Sequence, residues 1–271
     1  MTQGSYTFDT FQREQQQQEL TRLQRKTKIL HALDQQAWHQ AALSPGMRAL
    51  DLGCGTGDLT FELAKTLCPG SVVGVDASVE MVEHAIAKQS HHQIDNVQFV
   101  IGNAYNLPFP DATFDVVYTR FLLQHLTDPI RALKEAYRVL KPGGRLCIID
   151  IDDDWFSLYP EPDALTTFRK QVVAIQQSQG GDPYVGRKLS IYGRQAGFEN
   201  AISSVQVLTT DEYGAETLFG LLSFGAPYHA SHPDFARIAA DAKQQLYRQL
   251  TLTDVWASFG IFVTTCHKSE H

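Results

Sequence analysis

Three glycines stand at alternate positions in Asp51-Leu52-Gly53-Cys54-Gly55-Thr56-Gly57, directly after the apolar pair Ala49-Leu50. Glycines spaced this way let a chain leaving a buried strand turn sharply and bring its backbone close to a ligand. The helical pattern that opens at Asp58 would offer unpaired N–H groups beside that ligand. The spacing also selects among ligands. A dinucleotide fingerprint reads G-x-G-x-x-G, and the position of its third glycine, counted from Gly53, holds Asp58. A nicotinamide oxidoreductase is therefore disfavoured. Asp76 ends the next β-branched run, Ser71–Val75, where a carboxylate can accept both hydroxyls of a ribose. The alternative is a helix cap, because Asp76 and Ser78 both precede a helical run from Val79.

Further along, Asp150-Ile151-Asp152-Asp153-Asp154-Trp155 clusters four carboxylates. Alternation points Asp150 and Asp152 to one side of a strand, as substrate contacts or general bases, with loop capping as the alternative. No glycine or histidine makes the cluster an ion loop, so no metal is expected. His125 is another candidate base, the alternative being a helix-start residue bonded to backbone. The glycine-rich turn Gly180–Arg187 carries Tyr184 and Arg187, which can reach a pocket. Otherwise Arg187 pairs with a carboxylate and fixes the turn.

Four ordered motifs carry a resemblance. They are the Asp51–Gly57 loop, Val73-Gly74-Val75-Asp76-Ala77-Ser78, Leu107-Pro108-Phe109-Pro110-Asp111-Ala112-Thr113-Phe114-Asp115 and Leu140-Lys141-Pro142-Gly143-Gly144. Together they resemble the Rossmann-like S-adenosylmethionine (SAM) methyltransferases, in the branch of the ubiquinone and menaquinone C-methyltransferases. The resemblance implies a SAM cofactor bound by Asp51, Gly53, Gly55, Gly57, Asp76, Ala77, Asn103, Ala104 and Arg120. Asn103 stands where the family often has an aspartate that accepts from the adenine amino group. An amide oxygen keeps that contact without charge assistance. Residues leaving the fourth strand face the methionine end of the cofactor, which brings Arg120, Gln124 and His125 to the reacting methyl. The candidate bases are thus His125, Asp150 and Asp152, and the candidate acceptor contacts Gln124, Tyr184 and Arg187. Related enzymes cover the cofactor with an N-terminal helix, so Tyr6 or Arg22 can touch it. Plain helix packing is the alternative.

These residues need a frame. The pattern reads as α/β: a seven-stranded, mostly parallel Rossmann-like sheet with an antiparallel last strand, helices on both faces and helical lid insertions. An N-terminal helical cap spans 1–43, a SAM-binding core 44–150, and the rest of the core, with insertions at 151–196 and 211–256, spans 151–271. The expected strands include Ser71–Val75, Val97–Ile101, Phe114–Tyr118, Arg145–Ile149, Ala201–Leu208 and Ala257–Thr265. Residues 155–196 read as helical. Connections as long as 211–256 are commonly lids or second layers. Leu218–Tyr228 is apolar and aromatic, suited to a pocket wall or a dimer contact.

Composition narrows the partners. A chain of 271 residues with a formal net charge of −7 lacks the basic footprint of a nucleic-acid binder. Four scattered cysteines without C-x-x-C spacing suit reduced thiols in the cytoplasm. The polar, glutamine-rich start has no signal-peptide core, and no apolar run has the length of a membrane span. The expected function is transfer of the sulfonium methyl to an O, N or C nucleophile of a small-molecule acceptor, among which secondary metabolites are candidates. A catalytically silent SAM-binding partner of another protein is the alternative, and a homodimer is left open.

Overall fold

The computed structural model describes residues 4–6, 8–92, 94–222, 234–252 and 254–270. Its sheet has seven strands: β1 (Arg48–Leu52), β2 (Ser71–Asp76), β3 (Val97–Ile101), β4 (Phe114–Arg120), β5 (Leu140–Tyr159), β6 (Glu199–Thr209) and β7 (Trp256–His267). They lie in the order β3-β2-β1-β4-β5-β7-β6. β1 pairs in parallel with β2 and β4, and β5 in parallel with β4, while β7 runs antiparallel to both β5 and β6. The expected fold is the observed one. After β3 the chain crosses to the other side of β1, so a crevice opens between the carboxyl ends of β1 and β4, the place where ligands bind in open α/β sheets.

The strand sequences account for this layering. β1 is buried from Ala49 to Leu52 and β4 from Val116 to Thr119, as parallel strands covered on both faces must be. One core contains Leu63, Val72, Phe99 and Tyr118 on one face; a second holds Leu50, Val73, Leu133 and Phe262 on the other. The helices covering these faces are α1 (Arg13–Gln40), α2 (Asp58–Leu67), α3 (Val79–His92) and α4 (Pro129–Val139). α4 shows the local logic: the Asp128 side chain accepts from Arg131 N at 3.0 Å, Pro129 fills the first turn, and Ala132, Leu133, Ala136 and Val139 are buried. Each large side chain of that stripe contributes roughly 1.5–3 kcal/mol on burial.

One stretch differs from expectation. β5 does not stop at Ile149 but continues to Tyr159, pairing again with β7 from Phe156↔Phe259 to Tyr159↔Trp256 after a bulge at 152–155. Residues 155–159 are therefore strand, not helix; β7 begins early enough to partner them. Gly260 makes the bulge possible, because a Cβ there would lie 2.7 Å from the Trp155 Cβ. Helix resumes with α5 (Asp163–Ser178) and α6 (Leu189–Gln195). The N-terminal region is one long helix, α1, preceded by a 3-10 turn at Phe8–Thr10.

Beyond β6 come the short α7 (Thr210–Tyr213) and α8 (Ala215–Phe219), and then α9 (Phe235–Leu252). α5, α8 and α9 close a separate apolar cluster over the ends of β5 and β7, with Leu158, Phe168, Phe219, Phe235 and Leu246 inside. Of the Leu218–Tyr228 stretch, Leu218 and Phe219 are buried; its residues 223–228 lie outside the described set.

Candidate cofactor and acceptor site

A cavity of about 660 Å³ opens at the carboxyl ends of β1, β2 and β4. One arm is bounded by Asp51, Gly53, Gly55, Asp76, Ala77, Asn103 and Ala104. The other runs under α1 and α5, past Lys26, His125, Trp155, Phe168 and Phe259. The two arms meet beside Arg120, Phe121 and Gln124.

In the first arm the glycine loop is held by its own backbone. Gly53 N and Cys54 N both donate to Val75 O, at 2.8 and 3.0 Å, and Gly57 N donates to Cys54 O at 3.0 Å. Gly55 N donates to the Asp76 carboxylate at 2.8 Å. The amides of Gly53, Cys54 and Gly55 therefore fix the loop against the end of β2, that of Gly57 closes the loop on itself, and what the loop offers a ligand is space. Gly55 has φ +51 with open space where a side chain would start, whereas a Cβ on Gly57 (φ +73) would meet the Phe99 ring at 2.6 Å. Gly57 itself does not line the cavity; it begins α2 and packs.

Asp76 combines both roles foreseen for it. One oxygen accepts from Gly55 N and the other from Ser78 N at 2.9 Å, so it caps the turn into α3 while its carboxylate faces the cavity. Burial pushes its pKa upward against these hydrogen bonds. Asp51 is buried, accepts from Thr60 Oγ1 at 2.6 Å, and burial raises it to about 6. The Asn103 amide oxygen accepts from Tyr105 N at 2.9 Å, forming a local turn that presents Asn103 and Ala104 to the cavity edge. An amide oxygen has a second lone pair for an adenine amino group. Space at Gly55, a carboxylate at Asp76 and an acceptor at Asn103 fit a nucleoside.

The candidate bases are placed differently from one another. His125 lines the cavity, with Nδ1 2.9 Å from Ser5 Oγ and its ring centroid 5.2 Å from that of Tyr6. Burial, reinforced by Lys26 and Arg22, lowers it to about 3. Asp150 lies behind the cavity wall rather than in it. It accepts from Gln124 N (3.2 Å), Gln124 Nε2 (3.0 Å) and Ile151 N (2.9 Å), and burial raises it to about 7. Asp152 reaches the cavity edge but is held by the Arg187 guanidinium, which also pairs with Asp154 at 2.7 Å. Arg187 and Tyr184 do not line the cavity; Arg187 fixes the turn. Gln124 does line it, with its amide turned to Asp150.

The neutral His125 sets a pH dependence. Unfolded histidine titrates near 6.5 and the folded group only near 3. The unfolded chain thus binds the extra proton between these values, and stability falls as pH drops through that window. Asp51 and Asp150 titrate with the opposite sign, so a comparison of the native chain with His125→Gln isolates the effect. Urea unfolding is expected to show the native protein losing about 2–3 kcal/mol relative to the variant between about pH 7 and about pH 4.5.

Several site residues carry no motif. Glu19 is buried on α1, accepting from Tyr6 Oη at 2.9 Å and from Arg22. Asp34, on the same helix, pairs with Arg120. Lys26 and Thr27 face the cavity between Leu23 and Leu30. A lysine inside the apolar stripe Leu23–Lys26–Leu30–Leu33 is the signal that could have found it.

The methyltransferase domain family matches residues 43–188, more than half of the sequence. The chain belongs to that family. The resemblance read from the four motifs therefore holds for the family, and relatives from the branch it named are similar over part of the chain. A demethylmenaquinone methyltransferase of Lactococcus lactis is 43% identical over 117 residues, 43% of this chain and 46% of the relative. The chain spans about half the length of the first curated relatives it matches. Among solved structures, a [4+2]-cyclase superposes with TM-score 0.61 at 22% identity, over 89% of this chain and 82% of that one. The phosphoethanolamine N-methyltransferase 2 of Haemonchus contortus, in complex with phosphomonomethylethanolamine and S-adenosylhomocysteine, superposes with TM-score 0.54 at 19% identity, over 86% of this methyltransferase-family chain and 51% of that one. At such identities the likeness is one of fold, and one fold hosts several chemistries.

Proposed function

We propose that this chain is a SAM-dependent methyltransferase acting on a small molecule with an apolar body. The observation that carries the reading is a single cavity joining the glycine loop and Asp76 to a second arm walled by Phe121, Trp155, Phe156, Phe168 and Phe259. Asp76, Asn103 and Ala104 would hold the nucleoside, with the loop glycines leaving room for it, and Arg120 would lie at the methionine end. When bound, the cofactor supplies an activated sulfonium methyl. The protein's share is to align the acceptor and exclude water. Tyr6, His125 and the α1 face roof the junction of the arms, and the aromatic walls exclude solvent from the acceptor.

Net charge −7 and an aromatic-walled arm favour a small molecule over nucleic acid. Four free thiols suit the cytoplasm, and no described helix is long and apolar enough to cross a membrane. A silent SAM-binding scaffold would have no use for an open acceptor arm. A homodimer is a subordinate proposal, to be read from the oligomeric state in solution. Isothermal titration with SAM and S-adenosylhomocysteine is expected to give saturable binding of both, and folded protein that binds neither would sink the reading. Transfer of labelled methyl into apolar small molecules then separates an enzyme from a scaffold.

A further inference from the structure

Three cations look into the junction of the two arms: Arg22 and Lys26 from α1, and Arg120 from the end of β4. Two are matched. Arg22 donates to both Glu19 oxygens, and Arg120 donates to Asp34 at 2.5 Å and to Thr27 Oγ1 at 2.8 Å. Lys26 makes no hydrogen bond or ion pair among the described residues; its Nζ rests 3.4 Å from the centre of the Phe121 ring. Phe121 is held at φ +57, a conformation bulky residues rarely adopt and one that marks functional positions. A strained aromatic thus supports a lysine head that lines the cavity.

We propose that Lys26 is the acid–base group of the acceptor site, and that the acceptor presents an acidic hydroxyl, a phenol or an enol, on its apolar body. This rests on the methyltransferase reading above. The neutral Lys26 amine takes the hydroxyl proton, becomes the ammonium and stays beside the oxyanion it has made. The oxygen's lone pair then forms a bond to the sulfonium methyl carbon while the carbon–sulfur pair leaves on sulfur. The products are a methyl ether and the neutral thioether, and Lys26 returns its proton to water.

The surroundings suit that cycle. Burial first, then Arg22 and Arg120, push the Lys26 amine well below the ordinary lysine range, while Asp150 from β5 and Glu19 from α1 pull it back. His125, which also faces it, stays neutral and adds no charge. The bases suggested by sequence suit it less: burial makes His125 a weak base, Asp150 accepts from three N–H donors behind the wall, and Asp152 is held by Arg187. A cation within about 4–6 Å lowers the pKa of an acid by about 1–3 pH units, enough to ionise a phenol near neutrality.

Naphthol tests this, because its anion emits at longer wavelength than its acid. Titrated against the protein loaded with S-adenosylhomocysteine, naphthol is expected to bind as the anion, its ionisation midpoint about 1–3 pH units below that in water. Lys26→Met should abolish the anion emission, with S-adenosylhomocysteine affinity by titration calorimetry unchanged as proof of folding. Lys28→Met, on the exposed side of the same helix, should keep it. Naphthol that fails to bind, or binds as the acid, to S-adenosylhomocysteine-loaded protein overturns the proposal and leaves the methyltransferase reading standing, as does undiminished anion emission in Lys26→Met. Loss of S-adenosylhomocysteine binding by the native protein removes the reading itself.

Discussion

Replacing Asp76 with alanine is expected to weaken S-adenosylhomocysteine binding about a hundredfold while the protein stays folded. A ribose would give this carboxylate two hydrogen bonds, each worth about 1.5 kcal/mol when one partner is charged, and about 3 kcal/mol corresponds to about two powers of ten in affinity. The fold survives for a reason visible at the same atoms. Asp76 stabilises the loop by accepting from Gly55 N and Ser78 N, but burial disfavours its charge, so alanine removes a cost together with a benefit. Titration calorimetry beside urea unfolding separates the two. Unchanged affinity in a folded variant would mean that the ribose lies elsewhere and that Asp76 only caps α3.

The frame of that site was legible because it obeys local rules. Gly53, Gly55 and Gly57 all take positive φ, and α2 begins at Asp58 as the pattern of apolar residues demands. β3 has the bounds the sequence suggested, since turn residues bracket it. The course of β5 was not legible. Its extension to Tyr159 depends on pairing with β7, about a hundred residues later, and cross-strand pairing over that separation leaves no local trace. The bulge at 152–155 decides the fate of the acidic run, giving Asp152 to Arg187 and Asp153 to Arg169 at 3.0 Å. For α1 the sequence offers a helical cap whose Tyr6 or Arg22 touches the cofactor, with plain packing as the alternative. That it carries Glu19, Lys26 and Asp34 against the sheet is a tertiary fact, hinted at only by charged residues on an apolar stripe.

Those buried charges on α1 explain how the roof of the cavity is fixed, and Asp34→Ala is expected to destabilise the protein by about 3–5 kcal/mol. Asp34 is wholly buried, and the side chain of its partner Arg120 is only 10% exposed. The carboxylate accepts from Tyr118 Oη at 2.8 Å with one oxygen and from Arg120 with the other, and Arg120 also donates to Thr27. Alanine would strand a buried guanidinium and a buried phenol together, and uncompensated charge accounts for most of the loss. The pair's net worth is small by comparison: burial still pushes the Asp34 pKa upward despite Arg120. The double variant Asp34→Leu with Arg120→Met should therefore recover most of the stability, because it replaces both charges with apolar groups of similar volume. Urea unfolding of the two single variants and the double yields the coupling directly. A double variant as unstable as Asp34→Ala would show that α1 is held by the shape of this contact rather than by its charges.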